Sequence, residues 1–488
     1  MSITDDPVAD PTSQPSPESS GTPKPPARNA FQALAMRLHF YAGVFVAPFV
    51  LIAALTGALY AISPTIEAIV NRDLLHVDST GPARPLSEQI AAAVAVQPNL
   101  TLAAVAPAQD AGDTTRIIFS DPSLGESERR AVFVDPATAR PVGSSVVYGS
   151  SGALPMRTWI DVLHRDLHLG EPGRLYSELA ASWLWIIALA GLVLWWRRVR
   201  SRRERRSAGW LLRPDRSRAG RSRTLNWHGA VGIWVLLPAL FLSATGMTWS
   251  TYAGENIEAV RKQLSWMTPA VSTALPGAAG PALPAGGDHA EHGGGHQPGA
   301  PVPTDRAAQA DKVFAVARGH GVEGPLEISI PTGDGVAFVA KERRLPGVWT
   351  QDSIAVDGAT GDVVDVLRYA DWPLMAQLTS WGIALHMGML FGLANQVLLL
   401  ITMIALITVI IRGYLMWWRR RPTRSGGLAF GKPPRRGTLR RTPILLALPL
   451  VALAALVGWF APLVGLSLLG FLAVDVVVGL VRRRRAAA

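Results

Sequence analysis

Residues 164–198 read HRDLHLGEPGRLYSELAASWLWIIALAGLVLWWRR, and residues 386–420 read HMGMLFGLANQVLLLITMIALITVIIRGYLMWWRR. In both, a histidine precedes the Trp-Trp pair by 31 positions and the first shared glycine by 6. The match extends backwards. Residues 39–57, HFYAGVFVAPFVLIAALTG, resemble residues 228–246, HGAVGIWVLLPALFLSATG. Each of these opens on histidine and closes on Thr-Gly, 17 positions from histidine to threonine. Internal repeats govern the reading of a whole chain. Between each pair of apolar runs lies a polar segment carrying a strand, an Asp-x-Ala-Thr turn and a second strand, AVFVDPATARPVG (131–143) and SIAVDGATGDVV (353–364). The chain therefore reads as span, soluble domain, span, written twice.

Composition agrees. Of 488 residues, 49% are hydrophobic and only 17% charged, which is the balance of a membrane protein with soluble parts. There is no cysteine, so structural disulfides, thiolate-held iron–sulfur clusters and covalently attached c-type haem are excluded. The net charge is +11. Its basic runs, WWRRVRSRRERR (195–206), WWRRRPTRS (417–425) and VRRRR (481–485), sit where apolar runs end. That is the positive-inside pattern beside membrane lipid, and no nucleic-acid partner is expected.

The expected class is a polytopic α-helical membrane protein, a duplicated unit plus a C-terminal helical hairpin. Residues 1–28 are rich in Pro, Ser, Thr and Asp and read as a disordered cytoplasmic tail. A first span follows at 29–62 and a soluble α+β domain at 63–158. An outer approach and second span occupy 159–197, and a basic cytoplasmic loop 198–227. The third span is 228–250. The second soluble domain, 251–372, carries a Gly/Pro/His-rich insert at 276–304. An outer approach and fourth span cover 373–418, with a basic loop at 419–442. A short hairpin at 443–480 is either two further spans or a re-entrant pair, and a basic tail closes at 481–488. No signal peptide precedes the first span, so both termini are expected inside and both soluble domains outside. About 20 apolar residues suffice to cross a core roughly 30 Å thick.

One histidine accompanies each repeated span: His39, His164, His228 and His386. His39 and His228 open spans one and three on the inner side; His164 and His386 stand on the outer approaches to spans two and four. An ionisable residue at such a position is a functional candidate. A single histidine at a helix end is usually a cap or an interfacial group, and duplication alone would preserve one that does nothing. Haem b is the chemistry that fits two such pairs. It takes two neutral imidazoles from facing helices in an apolar cleft and needs no thiol. One or two haems are expected, with the small residues Gly43, Gly170, Gly229, Gly388 and Gly392 giving room. Arg37, Arg165 and Arg174 are the expected partners for the haem carboxylates. A straight helix of 31 residues is about 46 Å long, so the approach to span two should break, at Gly170-Glu171-Pro172-Gly173. His168, one turn beyond His164, is an alternative ligand or a supporting group.

Three lesser signals remain. DHAEHGGGH (288–296) sets His289, His292 and His296 in a glycine-rich loop, with donor types that suit Cu, Zn or Ni. HRDL at 164–167 matches a kinase catalytic loop in letters only, since no partner motif follows. Tryptophans 195, 196, 227, 417 and 418 mark an interfacial belt. No nucleotide-binding fingerprint is present, so electrons would come from a quinol or a cytoplasmic reductase.

The HRDLHLGEPGRL…LALAGLVLWWRR region, its second occurrence, the VDPATARPVG-type strand ends and the order of spans and domains resemble the PepSY-associated transmembrane helix family, over about residues 30–422. That family includes iron-regulated inner-membrane proteins and ferric-siderophore reductases. The resemblance implies two external PepSY-like α+β domains and b-type haem between the repeated helices. By position, its ligand histidines fall on His39, His164, His228 and His386. It further implies a bacterial cytoplasmic-membrane oxidoreductase that reduces a ferric siderophore or another metal chelate. Arg165 and Pro172-Gly173 have no counterpart near His386. The other functions to weigh are a non-enzymatic PepSY-type protein that binds or restrains an external protease or partner, and a metal-uptake accessory using the His-rich loop.

Overall fold

A computed structural model describes residues 27–202, 212–215, 217, 219–276, 304–419 and 444–487. The first apolar run folds as two helices, α1 (Ala27–Phe45) and α2 (Ala47–Val70), interrupted at Val46. Pro48 causes the break: it has no N–H and its ring clashes with the carbonyl four residues back. That carbonyl, on Val44, instead accepts a hydrogen bond from the Tyr414 hydroxyl at 2.8 Å. A short helix α3 (Arg72–Leu75) and then α4 (Leu86–Val96) follow. The first soluble region supplies β1 (Thr101–Ala106), β2 (Thr115–Ser120), β3 (Glu128–Asp135) and β4 (Arg140–Tyr148).

Helix α5 (Pro155–Asp166) covers residues read as an approach, and α6 (Glu171–Arg202) those read as the second span. The break expected near Gly170 is there. The chain leaves α5 through Leu167 and His168, both at φ 56°, and Gly170 at 62°. The third apolar run is again two helices, α7 (Gly220–Trp234) and α8 (Leu236–Thr248), bent by 57°. Pro238 sets this break as Pro48 sets the other, and the break residues Val46 and Val235 each fall seven positions after a histidine. Helix α9 (Tyr252–Gln263) and helix α10 (Thr304–Gly319) flank the insert. Strands β5 (Leu326–Ser329), β6 (Phe338–Glu342), β7 (Ser353–Val356) and β8 (Val363–Leu367) complete the second region. Then come α11 (Leu374–His386), α12 (Leu393–Trp418), α13 (Ile444–Phe460) and α14 (Pro462–Ala487).

Among the described residues, four helices are long and apolar enough to cross a bilayer, lying in Ala47–Val70, Glu171–Arg200, Leu393–Trp418 and Pro462–Val481. The bent α7–α8 pair makes a fifth crossing if it counts as one span. The expected crossing at 443–460 is shorter, a 17-residue helix. The hairpin α13–α14 is docked rather than free. The Trp183 indole donates to Ser467 Oγ at 2.9 Å, the Asn256 amide to Phe460 O at 2.9 Å, and Arg37 pairs with Asp475 at 3.3 Å.

The eight strands form one antiparallel sheet in the order β4-β3-β2-β1-β5-β6-β7-β8. The soluble regions at 63–158 and 251–372, expected as two domains, thus share one sheet. Its seam is the β1–β5 pair, Ala104 opposite Ser329 and Val105 opposite Ile328. Pairing at the seam removes the open edge that each four-stranded half would otherwise present. Helices α4 and α10 cover one face with a buried layer that includes Ile90, Ile117, Phe119, Val313, Ile328, Phe338 and Ile354. The other face rests Ile118, Phe133 and Leu154 against Leu74 and Leu75. The two Asp-x-Ala-Thr turns form as read. The Asp135 carboxylate accepts the Ala137 N–H at 2.9 Å, and the Asp357 carboxylate the Ala359 N–H at 2.8 Å. Four residues past each aspartate the backbone turns left-handed, at Ala139 (φ 55°) and Gly361 (φ 88°).

The broken spans change partners along their length. Helices α1 and α7, on the far side from the sheet, pack on α6 and α12 respectively. The sheet-side halves exchange: α2 packs on α12, and α8 on α6. The two halves of the chain are therefore interlocked at the level of the approach helices.

Candidate functional site

The four repeated histidines meet in two pairs. His39 on α1 and His228 on α7 have ring centres 6.0 Å apart. His164 on α5 and His386 at the end of α11 are 6.5 Å apart. Each pair takes one ring from each half of the chain.

The partners of these rings fix their protonation. His39 Nδ1 lies 3.0 Å from Ile187 O, and His228 Nδ1 lies 2.9 Å from Val409 O. A carbonyl only accepts, so both Nδ1 atoms carry the proton. His164 Nδ1 lies 2.9 Å from Thr56 Oγ1, and His386 Nδ1 lies 2.6 Å from Thr245 Oγ1. The Thr56 hydroxyl donates into its own helix, to Ile52 O at 3.0 Å, and Thr245 donates to Phe241 O at 2.8 Å. Each hydroxyl proton is spent, so each threonine accepts from its histidine. All four imidazoles are thus set as Nδ1–H donors with the Nε2 lone pair uncommitted, and no described residue bonds an Nε2. This is the state in which a histidine ligates a metal, its other nitrogen oriented by a hydrogen bond.

Four glycines make room for these rings. A Cβ on Gly57 would stand 3.1 Å from His164 Cε1, and one on Gly191 would stand 3.1 Å from His39 Cε1. The corresponding distances are 3.9 Å from Gly246 to His386 and 3.7 Å from Gly413 to His228. The five glycines expected to let a macrocycle approach the backbone are not among these four. Gly43, Gly170 and Gly392 face open space, Gly229 meets Trp195, and Gly388 meets Gln396.

The sheet-side pair opens on a cavity of about 200 Å³. Its walls are small and apolar, with Ala53, Ala54, Ala180 and Ala181 among them, and Asp161, Arg165, Arg174 and Glu178 add charge. Tyr60 stacks on His164 with ring centres 6.2 Å apart, and Trp249 meets His386 edge-on at 5.1 Å. Glu178 is spoken for: it caps α9 by accepting the Tyr252 and Ala253 N–H groups, each at 3.0 Å.

The donor set fits a metal held between two imidazoles. Two rings sharing one metal at about 2.0–2.1 Å per bond, each ring centre roughly 1 Å behind its nitrogen, stand about 6–6.5 Å apart. Both pairs fall in that window. Each site has two imidazoles, one from each half of the chain, and the chain has no cysteine to add a thiolate. That suits a macrocycle which brings its own equatorial ligands rather than a bare ion, and no group of three or more metal-ligating side chains occurs among the described residues.

His168 is not part of either pair. Helix α5 ends at Asp166, so His168 does not continue its face. Its ring lies against Trp159, centres 4.9 Å apart, and its N–H donates to the Asp166 carboxylate at 2.9 Å. His289, His292 and His296 lie outside the described residues. Of the arginines expected to meet cofactor carboxylates, Arg37 holds Asp475. Arg165 holds the Tyr148 hydroxyl at 2.6 Å, and Arg174 holds Thr251 Oγ1 and Trp249 O at 3.4 and 3.2 Å. Thr56 and Thr245 were visible in the sequence as repeat markers; their role required knowing that the approach helices fold back on them.

The sequence profile of one family, described as PepSY-associated TM region, matches residues 36–420. No curated protein matches the chain.

Proposed function

The chain belongs to the PepSY-associated TM region family, and from that premise we propose that it is a haem b-containing electron-transfer protein of the bacterial cytoplasmic membrane, built from a duplicated unit, that reduces an external ferric chelate. The observation that carries this reading is the pair of matched imidazole pairs, each bridging the two halves of the chain and each with Nε2 left for a metal. His39 with His228 would hold one haem and His164 with His386 a second. Haem b, when bound, supplies reversible one-electron Fe(III)/Fe(II) chemistry.

The protein's own contribution is positional. Thr56 and Thr245 orient the sheet-side imidazoles, and the Ile187 and Val409 carbonyls orient the others. The alanine-lined walls keep water from the sheet-side centre, while Arg165 and Arg174 are balanced there by Asp161 and Glu178. Seventeen residues of broken helix, roughly 25 Å of rise, separate His39 from Thr56. The two levels therefore suit passage of electrons from a quinol or a cytoplasmic reductase on one side to Fe(III) in a siderophore on the other. One electron converts chelated Fe(III) to Fe(II), which siderophores hold weakly.

The test is reduction across a sealed membrane. Proteoliposomes would enclose a quinol or chemical reductant, with a ferric chelate and a chromogenic Fe(II) trap outside. Wild type should develop the Fe(II) colour, and His39→Ala and His386→Ala should each stop it, because the centres act in series. Colour at the wild-type rate in both variants would sink the proposal. A haem-loaded wild type that passes no electrons would leave the shared sheet as a partner-binding surface and the helices as its anchor.

A further inference from the structure

Arg412 stands in the apolar helix α12, where a cation is costly unless it is used. Among the described residues it forms no ion pair, and its Nε is buried without a hydrogen-bond partner. Its guanidinium carbon lies 4.6 Å from the centre of the Trp227 ring. The indole N–H groups of Trp227 and Trp195 are likewise buried without partners, although a buried indole N–H normally finds one. Arg412 and Trp227 meet beside one histidine. Trp227 precedes His228, and Arg412 precedes Gly413, the glycine that faces His228 Cε1. Trp195 Cδ1 lies 3.6 Å from where a Gly229 Cβ would be. Arg412 and Trp227 are orphaned donors in contact, one of them cationic, and make an incomplete anion site.

We infer that Arg412 and Trp227 form a carboxylate-binding site beside the His39–His228 pair, and that its ligand is a carboxylate of the haem those histidines hold. The inference rests on the proposed function and adds the residues that orient that haem. The chemistry of the site selects the ligand: donors only, one positive charge, and a buried position next to the metal-ligating nitrogen. Arg37 and Arg165, by contrast, have protein partners in Asp475 and the Tyr148 hydroxyl. The position corresponding to Arg412 in the first half of the chain is Ala190. The site is therefore one-sided, and would fix one of the two ways a haem can sit between its ligands.

The experiment uses the full chain carrying His164→Ala and His386→Ala, so that only the His39–His228 pair can bind. It is titrated with haem and with haem dimethyl ester, whose carboxylates are blocked, in nanodiscs with and without anionic lipid. Haem should bind the parent roughly tenfold to a hundredfold more tightly than the ester, the range set by losing charge-assisted hydrogen bonds. Arg412→Gln should weaken haem by a similar factor and erase the preference over the ester. Trp227→Phe keeps the ring and its contact with the guanidinium, and should cost a smaller factor. Equal affinity of the parent for haem and ester would overturn this inference alone. So would an Arg412→Gln variant that still discriminates between them. An Arg412 effect seen only with anionic lipid present would assign the site to a lipid phosphate and also overturn it. A chain that binds no haem through His39 and His228 would overturn it together with that half of the proposed function.

Discussion

At the scale of single residues, orientation of the histidines depends on groups that are chemically plain. Thr56 and Thr245 supply one hydroxyl each, and four glycines supply absence. The spacing is unequal, and this yields a graded expectation. Gly57→Ala and Gly191→Ala would put a methyl carbon 3.1 Å from an imidazole carbon, closer than ordinary contact, in a packed membrane core with little slack. Gly246→Ala and Gly413→Ala would leave 3.9 and 3.7 Å, which is ordinary contact. Haem per chain after purification should fall in the first two variants and stay near wild type in the second two. Thr56→Val keeps the shape but removes the acceptor of His164 Nδ1–H, and should weaken haem retention at the sheet-side pair about 10–100-fold. Equal haem content across all of these variants would contradict the assignment of the rings. The histidines themselves were legible from their matched offsets. Their supporting residues were not, because a glycine is informative only when the ring it admits is known. Arg412 was hidden too, lying inside an apolar run with no counterpart in the other half.

At the scale of elements, the sequence displayed both Asp-x-Ala-Thr hairpins through β-branched runs and turn residues. Strand β1, TLAAVA, was not among the strands read, because its alanines carry little strand propensity. It is held by pairing on both sides, with β2 and with β5. The seam it forms is reinforced electrostatically. Glu327 on β5 reaches across to Arg129 on β3 at 2.9 Å, and lies 3.9 Å from Arg343 beyond β6. Burial pushes the Glu327 carboxyl up, but the guanidinium groups of Arg129 and Arg343 outweigh burial and hold it below the ordinary value of 4.5. A carboxyl depressed on folding contributes stability above its unfolded value, and that contribution fades as pH falls through the folded value. Glu327→Gln should therefore destabilise the protein near neutral pH by on the order of 3 kcal/mol, since it strands two cations. Its melting temperature should also fall less steeply than wild type below about pH 4.5. Parallel curves for the two proteins through that range would contradict this role for Glu327.

At the scale of the whole molecule, the two halves cooperate in three places: the sheet seam, the exchange of helices α2 and α8, and the two histidine pairs. Repeat offsets raise the expectation of two related halves. They did not show the interlocking, because the prolines that break the spans set where each changes partner, and the partner lies elsewhere in the chain. The same arrangement makes each histidine pair a joint product of both halves, so neither half should hold a haem alone. The most direct measurement is haem stoichiometry. Wild type in mild detergent would be compared with the double variants His39→Ala/His228→Ala and His164→Ala/His386→Ala, by reduced-minus-oxidised visible spectra and a pyridine haemochrome count. The account predicts about two haems b per wild-type chain and about one in each double variant, each with a sharp reduced α-band from paired imidazoles. A colourless wild type, or a haem count unchanged by removing either pair, would contradict it.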